Sequence, residues 1–276
     1  MLGLPPILVH STISLCNWRK LDPRGPMVLD NLTLLHSLDS SRDLEVFFLI
    51  PVLVELCSVP AVLAILTAQE LLAKGDQSHL QTHLDTITTS LEKMVAQLKE
   101  MSPGCRPEIF YHQHRPLLSG WEGNPALPAG LVYEGVSLTP RKYSGGSAAQ
   151  SSAVQAIDAG LGVTHAGREG QFLLRMREHY MPPNQGGLIH HISQGPSIRA
   201  ACQAGSQGVK ESYNKCLAAL ELLRTQHLIL VARYITTPSH RDRGEADHLA
   251  EQGTGGTQLA TFLKKIRQDT ADMVII

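Results

Sequence analysis

The chain has 276 residues, of which 43% are apolar, and its formal net charge at pH 7 is −1. An apolar fraction this high with almost no net charge excludes a largely disordered chain. The neutral balance also gives no reason to expect a nucleic acid or an anionic membrane as a partner. We therefore expect a folded globular protein.

The cysteines and the first residues of the chain indicate the cellular compartment of the protein. The five cysteines are odd in number, far apart and form no C-x-x-C pair: Cys16, Cys57, Cys105, Cys202 and Cys216. This pattern argues against a thiolate zinc site or a disulfide framework. The start, "MLGLPPILVHSTISLCNW", lacks the basic region of a signal peptide. We expect a reducing, cytoplasmic setting.

The segment 47–66, "FFLIPVLVELCSVPAVLAIL", is long and apolar enough to span a membrane. Glu55 near its centre and the prolines at 51 and 60 speak against a span, because a carboxylate within a membrane is costly. Proline usually ends or kinks a helix. We therefore predict a buried helical hairpin that breaks at "SVP", and no membrane partner.

Helical periodicity dominates the rest of the chain. Apolar residues recur at helical spacing between Leu80 and Leu98. Residues 102–148 are rich in Gly, Pro and Ser and are predicted to be mostly loop. Helical pattern resumes near Ala149 and near Glu169, is broken by "MPPNQGG", and continues in a long helix over about 209–235. Residues 238–256 are polar and are expected to form a mobile loop before a last short helix.

The sequence shows no alternating strand pattern of any length and no internal repeat. The predicted fold class is therefore all-α, with residues 1–276 forming one large helical domain.

His227 lies in the predicted helix 209–235. Four apolar or aromatic residues one and two turns away share its face: Leu220, Leu223, Val231 and Tyr234. One interpretation is a core histidine bonded to a backbone carbonyl. The other is axial ligation of a haem iron, which needs an imidazole nitrogen, a flat apolar slot and a cation for the propionates. Arg224, one turn earlier, could be that cation. The spacing alone does not choose between the two.

Two further patterns are weaker. "YSGGSAAQSS" (143–152) could form an anion site at a helix N-terminus or an ordinary Ser-rich loop with a helix cap. It is neither a Walker A loop nor a nucleophile elbow. The histidines of "HQH" (112–114) and "HH" (190–191) show no metal-ligand spacing, and we expect them on exposed or loop positions.

An ordered set of motifs along nearly the whole chain resembles the indoleamine 2,3-dioxygenases. The set includes "LPPILV", "LSGW.GNP", "GLVYEGV", "YSGGSAAQSS", "YMPP", "LR..H" and "GTGGT". Three of these regions, "GLPPILVHS", "PAGLVYEGV" and "KYSGGSAAQSS", look most like the second vertebrate paralogue of that family. The resemblance implies a haem-dependent dioxygenase of the kynurenine pathway, with a large all-helical haem b domain, that opens the indole of L-tryptophan to N-formylkynurenine with dioxygen.

The resemblance also implies roles for individual residues. His227 would be the proximal iron ligand, Arg224 would lie near the propionates, and Asp158 would fix that arginine. The other cofactor and substrate contacts would come from Gly146, Ser147, Ala148, Phe47, Phe110, Arg115 and Thr254. Phe47 and Phe110 would pack against the indole, Arg115 would pair with the substrate carboxylate, and Thr254 would close over the substrate. No side chain is required as a general base.

Three departures from the family pattern bear on activity. The family's smaller N-terminal domain is not represented before "MLGLPPILVHS", Pro51 stands where a better-studied paralogue has serine, and His10 stands where it has tyrosine. We therefore expect weakened turnover, and a monomer whose exposed apolar surface could favour association. The rival hypotheses are a haem-binding or regulatory protein without turnover, and a helical scaffold that binds no haem.

Overall fold

The computed structural model describes residues 3–241 and 258–276, and α-helices dominate this part of the chain. We number the helices α1 to α12 along the sequence. They are Arg42–Ala73, Leu80–Lys99, Met101–Gly104, Pro107–Ile109, Arg115–Leu118, Ser152–Leu161, Gly167–Tyr180, Pro183–Gln194, Ile198–Ala204, Gln207–Val231, Thr237–Arg241 and Leu259–Ala271. The all-α prediction is confirmed.

Two small antiparallel hairpins accompany the helices, and the sequence analysis missed both. Strand β1 (Trp18–Lys20) pairs with β2 (Leu32–Leu34), and β3 (Leu131–Tyr133) pairs with β4 (Ser137–Arg141). Strands of three to five residues are too short to show a period-two alternation. The second hairpin lies inside the predicted loop segment 102–148, which is otherwise built of short helical turns and loops.

Helix α1 is continuous from Arg42 to Ala73, with Pro51 and Pro60 inside it. The predicted break at "SVP" is therefore wrong. A proline inside a helix costs about 3 kcal/mol, but α1 buries fourteen residues against the rest of the fold, and this burial outweighs the lost hydrogen bonds. By length and composition the helix could cross a membrane, and 44% of its most apolar window is buried inside the protein.

The main core lies where α2 packs against α1 and α10. The buried side of α2 repeats every three to four residues, at Leu84, Ile87, Leu91 and Met94, all of which are fully buried. Its exposed side carries polar and charged residues, so the amphipathic pattern predicted for 80–98 is confirmed. Helix α12 packs against the other end of α10 and covers a second apolar cluster around Phe172 and Phe262.

Helix α10 confirms the long helix predicted over 209–235. It runs from Gln207 to Val231 and continues into a π-helical turn, Ala232–Thr236. The four residues expected to share the face of His227 are all buried, namely Leu220, Leu223, Val231 and Tyr234. Of the polar segment 238–256, the structure describes only the beginning, which is helical in α11. The remainder lies outside the described residues.

Candidate functional site

A cavity of about 300 Å³ runs between α1, α6, α10 and α12. Its walls contain nine of the ten residues that the sequence analysis assigned to cofactor or substrate. These are Phe47, Phe110, Arg115, Gly146, Ser147, Ala148, Asp158, Arg224 and His227. Thr254, the tenth, lies outside the described residues. The predicted residues, which span 181 positions of sequence from Phe47 to His227, are therefore brought together in space.

Three π-helical turns border this cavity. They are Ser11–Leu15, Phe110–His114 and Ala232–Thr236, and they are all the π-helical turns in residues 3–241 and 258–276. Each contributes side chains to the wall, among them Ile13, Phe110 and Tyr234. Single π turns within helices are rare and occur frequently at functional sites. The backbone irregularity thus marks the same place as the predicted residues.

His227 projects into the cavity from an apolar surface made by its neighbours on α10. Within the part of the chain that the structure describes, its ring has no hydrogen-bond partner. Burial lowers the pKa of His227 to about 4, so the imidazole is neutral at pH 7. A core histidine bonded to a carbonyl would have satisfied its ring. A neutral imidazole facing a cavity can instead offer a lone pair to a metal.

Arg224 lies one turn before His227 and is held by a buried ion pair. Its Nη2 donates to both carboxylate oxygens of Asp158 at 2.7 Å, and its Nη1 donates to the hydroxyl of Thr270. Its Nε is buried and has no partner among the described residues. Arg224 also lines the cavity. It thus retains a donor for an anionic group, which fits a haem propionate.

The Arg224–Asp158 pair belongs to a larger buried network that sequence reasoning missed. His165 Nε2 lies 3.3 Å from Asp158 Oδ2, and His165 Nδ1 lies 2.9 Å from Asp269 Oδ2. Lys265, one turn earlier on α12, pairs with Asp269. Burial opposes ionisation of Asp158, but Arg224 and His165 hold its pKa below the usual value. Nothing in the local pattern around His165 or Asp269 signals this contact, since they are 104 positions apart.

The other end of the cavity has an aromatic wall and a buried cation. The rings of Phe47 and Phe110 lie 4.4 Å apart, and Phe110 packs edge-on against Tyr234 at 5.7 Å. Arg115 is 1% exposed, and its guanidinium carbon lies 5.6 Å from the centre of the Tyr111 ring. Aromatic surface beside a buried guanidinium suits a ligand that is both aromatic and anionic.

The segment 143–152 is a capped loop, as the simpler of its two interpretations held. Ser147 caps the short 3-10 turn Ala148–Gln150, and Ser151 caps α6. Gln150, 2% exposed, ties the loop together by donating to the Gly145 carbonyl at 2.9 Å and accepting from the His10 backbone N–H at 2.9 Å. The loop thereby presents Gly146, Ser147 and Ala148 to the cavity.

The backbone of residues 143–145 is in close contact with the backbone of residues 118–120. A Cβ on Gly145 would lie 2.0 Å from the Leu118 carbonyl oxygen and 2.7 Å from the Gly120 nitrogen. We therefore expect Gly145→Ala to destabilise the protein by about 1–3 kcal/mol, the usual cost of overpacking. Chemical denaturation measures this, with Gly187→Ala on α8 as the control because a Cβ there meets nothing within 4 Å. Equal denaturation midpoints for the two variants would contradict the close contact.

Two of the sequence departures also face the cavity. His10 Nε2 lies 3.3 Å from Glu55 Oε1, and Glu55 accepts a hydrogen bond from the Ser151 hydroxyl. Pro51 lines the wall one turn before Glu55 without ending α1. The Glu55 carboxylate, which speaks against a membrane span of this segment, is thus also a polar group of the site.

The remaining histidines are divided. His112, His190 and His191 are exposed, as predicted, whereas His114 is fully buried, with Nε2 2.9 Å from Asp39 Oδ2, so the prediction is wrong for His114. His114 ends the π turn 110–114, in which Phe110 and Tyr111 are buried as well. Among residues 3–241 and 258–276, no group of three or more His, Cys, Asp or Glu side chains could hold a bare metal ion. A metal at His227 would therefore need most of its ligands from a cofactor such as a porphyrin.

Comparison with known proteins gives a consistent result. The sequence profile of the indoleamine 2,3-dioxygenase family matches residues 1–273. The chain is 40% identical to indoleamine 2,3-dioxygenase 2 of Homo sapiens over 99% of its own length and 69% of that protein. It is also 40% identical to indoleamine 2,3-dioxygenase 1 of Rattus norvegicus, covering 98% of this chain and 68% of that one. A myoglobin of Haliotis diversicolor is 34% identical, over 99% of this chain and 70% of its own.

Proposed function

This chain belongs to the indoleamine 2,3-dioxygenase family, and we propose that it binds haem b and opens the indole ring of L-tryptophan to N-formylkynurenine. The observation that carries the proposal is the composition of the cavity. Among the described residues, one wall has a neutral imidazole without a hydrogen-bond partner next to an arginine whose Nε is unpaired, and another wall has two phenylalanines next to a buried arginine.

On the cofactor side, His227 would be the proximal ligand and Arg224 would pair with a propionate. The lowered pKa of His227 keeps its nitrogen free of a proton at neutral pH, as a ligand requires. Asp158 holds Arg224 in position, since its carboxylate binds the guanidinium through both oxygens. Gly146 and Ser147, in the capped loop, would contact the cofactor from the side.

On the substrate side, Phe47 and Phe110 would pack against the indole, with Ser147 and Ala148 completing the pocket. Arg115 would bind the amino-acid carboxylate through its planar fork of donors. The haem, when bound, supplies the redox-active iron at which dioxygen is activated. In the net reaction the C2–C3 bond of the indole breaks and both oxygen atoms enter the product, so this chain need supply no general base. Its residues orient the indole and exclude water.

The proposal extends to the domain organisation, the oligomeric state and the cellular compartment. We propose that residues 1–276 form one haem-binding unit that acts as a monomer in the cytoplasm. Five unpaired thiols agree with a reducing compartment. Thr254 would close over the substrate, a role assigned from the sequence motif alone.

A second candidate is a haem protein without dioxygenase turnover. The similarity to a protein named myoglobin, at 34% identity over nearly the whole chain, favours this alternative. The features on the cofactor side, His227 and the Arg224–Asp158 pair, would serve both functions. Only the substrate side separates them, because an oxygen carrier has no need of Arg115 beside an aromatic wall.

Turnover decides between the two. We expect the haem-loaded chain, given a reductant, dioxygen and L-tryptophan, to produce N-formylkynurenine, detected by its absorbance and mass. The controls are the haem-free chain and free haemin with the same reductant. A normal haem spectrum with reversible oxygen binding and no product above the haemin control would favour the second candidate. A chain that gives no haem spectrum at all would rule out both.

A further inference from the structure

His165 lies one layer behind the cavity, on the short connection between α6 and α7. Its side chain is 5% exposed, and among the described residues it is not part of the cavity lining. Both of its ring nitrogens face carboxylates, Asp269 at 2.9 Å and Asp158 at 3.3 Å. Nε2 also lies 3.3 Å from Nη2 of Arg224. The ring therefore connects α6, α10 and α12. It does so next to Arg224, the cationic residue that lines the cavity.

We infer that His165 is a positioning residue for Arg224, and that its protonation increases the affinity of the cavity for the carboxylates of an anionic cofactor. The inference rests on the proposed haem site. It adds a residue that the motifs of the sequence do not indicate and a pH dependence of cofactor retention.

The hydrogen-bonding pattern allows two arrangements. An ionised carboxylate only accepts, so Nδ1 must carry a proton to bond Asp269. When Nε2 is also protonated, it donates to Asp158 and shares that carboxylate with Arg224. When Nε2 is bare, it can accept from Arg224 and compete with Asp158 for the same donor. In the protonated form Asp158 therefore shares its negative charge between two cations, so less of that charge offsets the positive charge of Arg224.

The charge balance acts in the same direction. The charged groups that face His165 are Asp158 on α6, Arg224 on α10, and Asp269 with Lys265 on α12. Two carboxylates and two cations balance when His165 is neutral. With His165 protonated the cluster carries one excess positive charge, which an incoming carboxylate at Arg224 neutralises. Glu169 and Asp272 act on Lys265 from farther away.

The pKa shifts agree with this geometry. Burial alone would lower the pKa of His165, but Asp158 and Asp269 outweigh it and raise the pKa above 6.5. The pKa values of Asp158 and Asp269 are lowered and that of Lys265 is raised, so these groups stay charged around neutral pH. The protonated ring therefore stabilises the fold below pH 6.5, and this contribution is lost as the pH rises through the raised pKa.

The test is a titration of the haem-free chain with haemin, followed by the absorbance of the bound form, at pH values from about 6 to 9. We expect the affinity to fall with rising pH by on the order of tenfold, within the usual range for coupling between two sites. The affinity for haemin dimethyl ester, which lacks the carboxylates, should not change with pH. The affinity of His165→Gln for haemin should likewise not change with pH. His190→Gln, at an exposed position on α8, should keep the pH dependence of the unmodified chain.

Each outcome separates the inference from the proposed function. An equal slope for haemin and its ester, or for His165→Gln and the unmodified chain, would overturn the inference while leaving haem binding intact. Failure of the unmodified chain to bind either ligand would overturn the proposed function itself. The comparison of haemin with its ester needs no variant, so it remains decisive if His165→Gln does not fold.

Discussion

Replacing His227 with alanine should weaken haemin binding by more than about 100-fold, the upper end of the loss seen when only an outer-shell partner is removed. The imidazole is unpartnered within the described residues, neutral and directed into the cavity. His10 is the other histidine of the lining, but it is engaged by Glu55. The absorption spectrum of the haemin-titrated variant measures the loss.

Rescue by a small molecule makes this test specific. Truncation leaves space for free imidazole, which should restore a histidine-type spectrum to His227→Ala. His191→Ala, at an exposed position on α8, serves as the matched control. A His227→Ala spectrum identical to that of the unmodified chain, without added imidazole, would show that another residue binds the iron.

Replacing Arg115 with alanine should weaken tryptophan binding to the haem-loaded chain by roughly 10- to 150-fold. This range corresponds to the loss of a charge-assisted hydrogen bond of about 1.5–3 kcal/mol. Haem content should not change, since Arg115 lies on the aromatic side of the cavity and not beside His227 or Arg224. The change in the haem spectrum on addition of tryptophan provides the measurement.

Indole is the matched ligand for this second test, because it keeps the ring and lacks the carboxylate. Arg115→Ala should bind indole as the unmodified chain does, and Arg115→Lys should recover part of the tryptophan affinity, since it keeps the charge but loses the planar fork. Arg115 is buried, so thermal unfolding must be measured alongside. Equal losses for indole and tryptophan would mean that Arg115 supports the pocket and does not recognise the carboxylate.

The parts of the fold that follow from local periodicity could be predicted from the sequence. The burial of Leu84 and Leu91 on α2 and the apolar face around His227 on α10 are set by residues three and four positions apart. The continuity of α1 could not be predicted in this way. Its prolines argue locally for a break, and only tertiary burial of the whole helix decides against it.

The residues of the site also differ in whether the sequence could predict them. The spacing of Arg224 and His227 already indicated a possible haem helix. The contribution of Asp158 was expected only from a resemblance between motifs, and His165 with Asp269 was not anticipated at all. Those contacts join α6, α10 and α12, which are distant in sequence, and a histidine in a short connection has no periodic pattern to mark it.

The three π turns around the cavity have a consequence for how this pocket can change over evolutionary time. A π turn holds one residue more than a regular helical turn, so loss of a single codon could convert it to α-helix. At Ala232–Thr236, one such deletion would change the positions of Tyr234 and Ile235, which line the cavity, while leaving His227, upstream on α10, in place. Ligand preference could therefore shift through single insertions and deletions, with the helix that carries His227 unaltered.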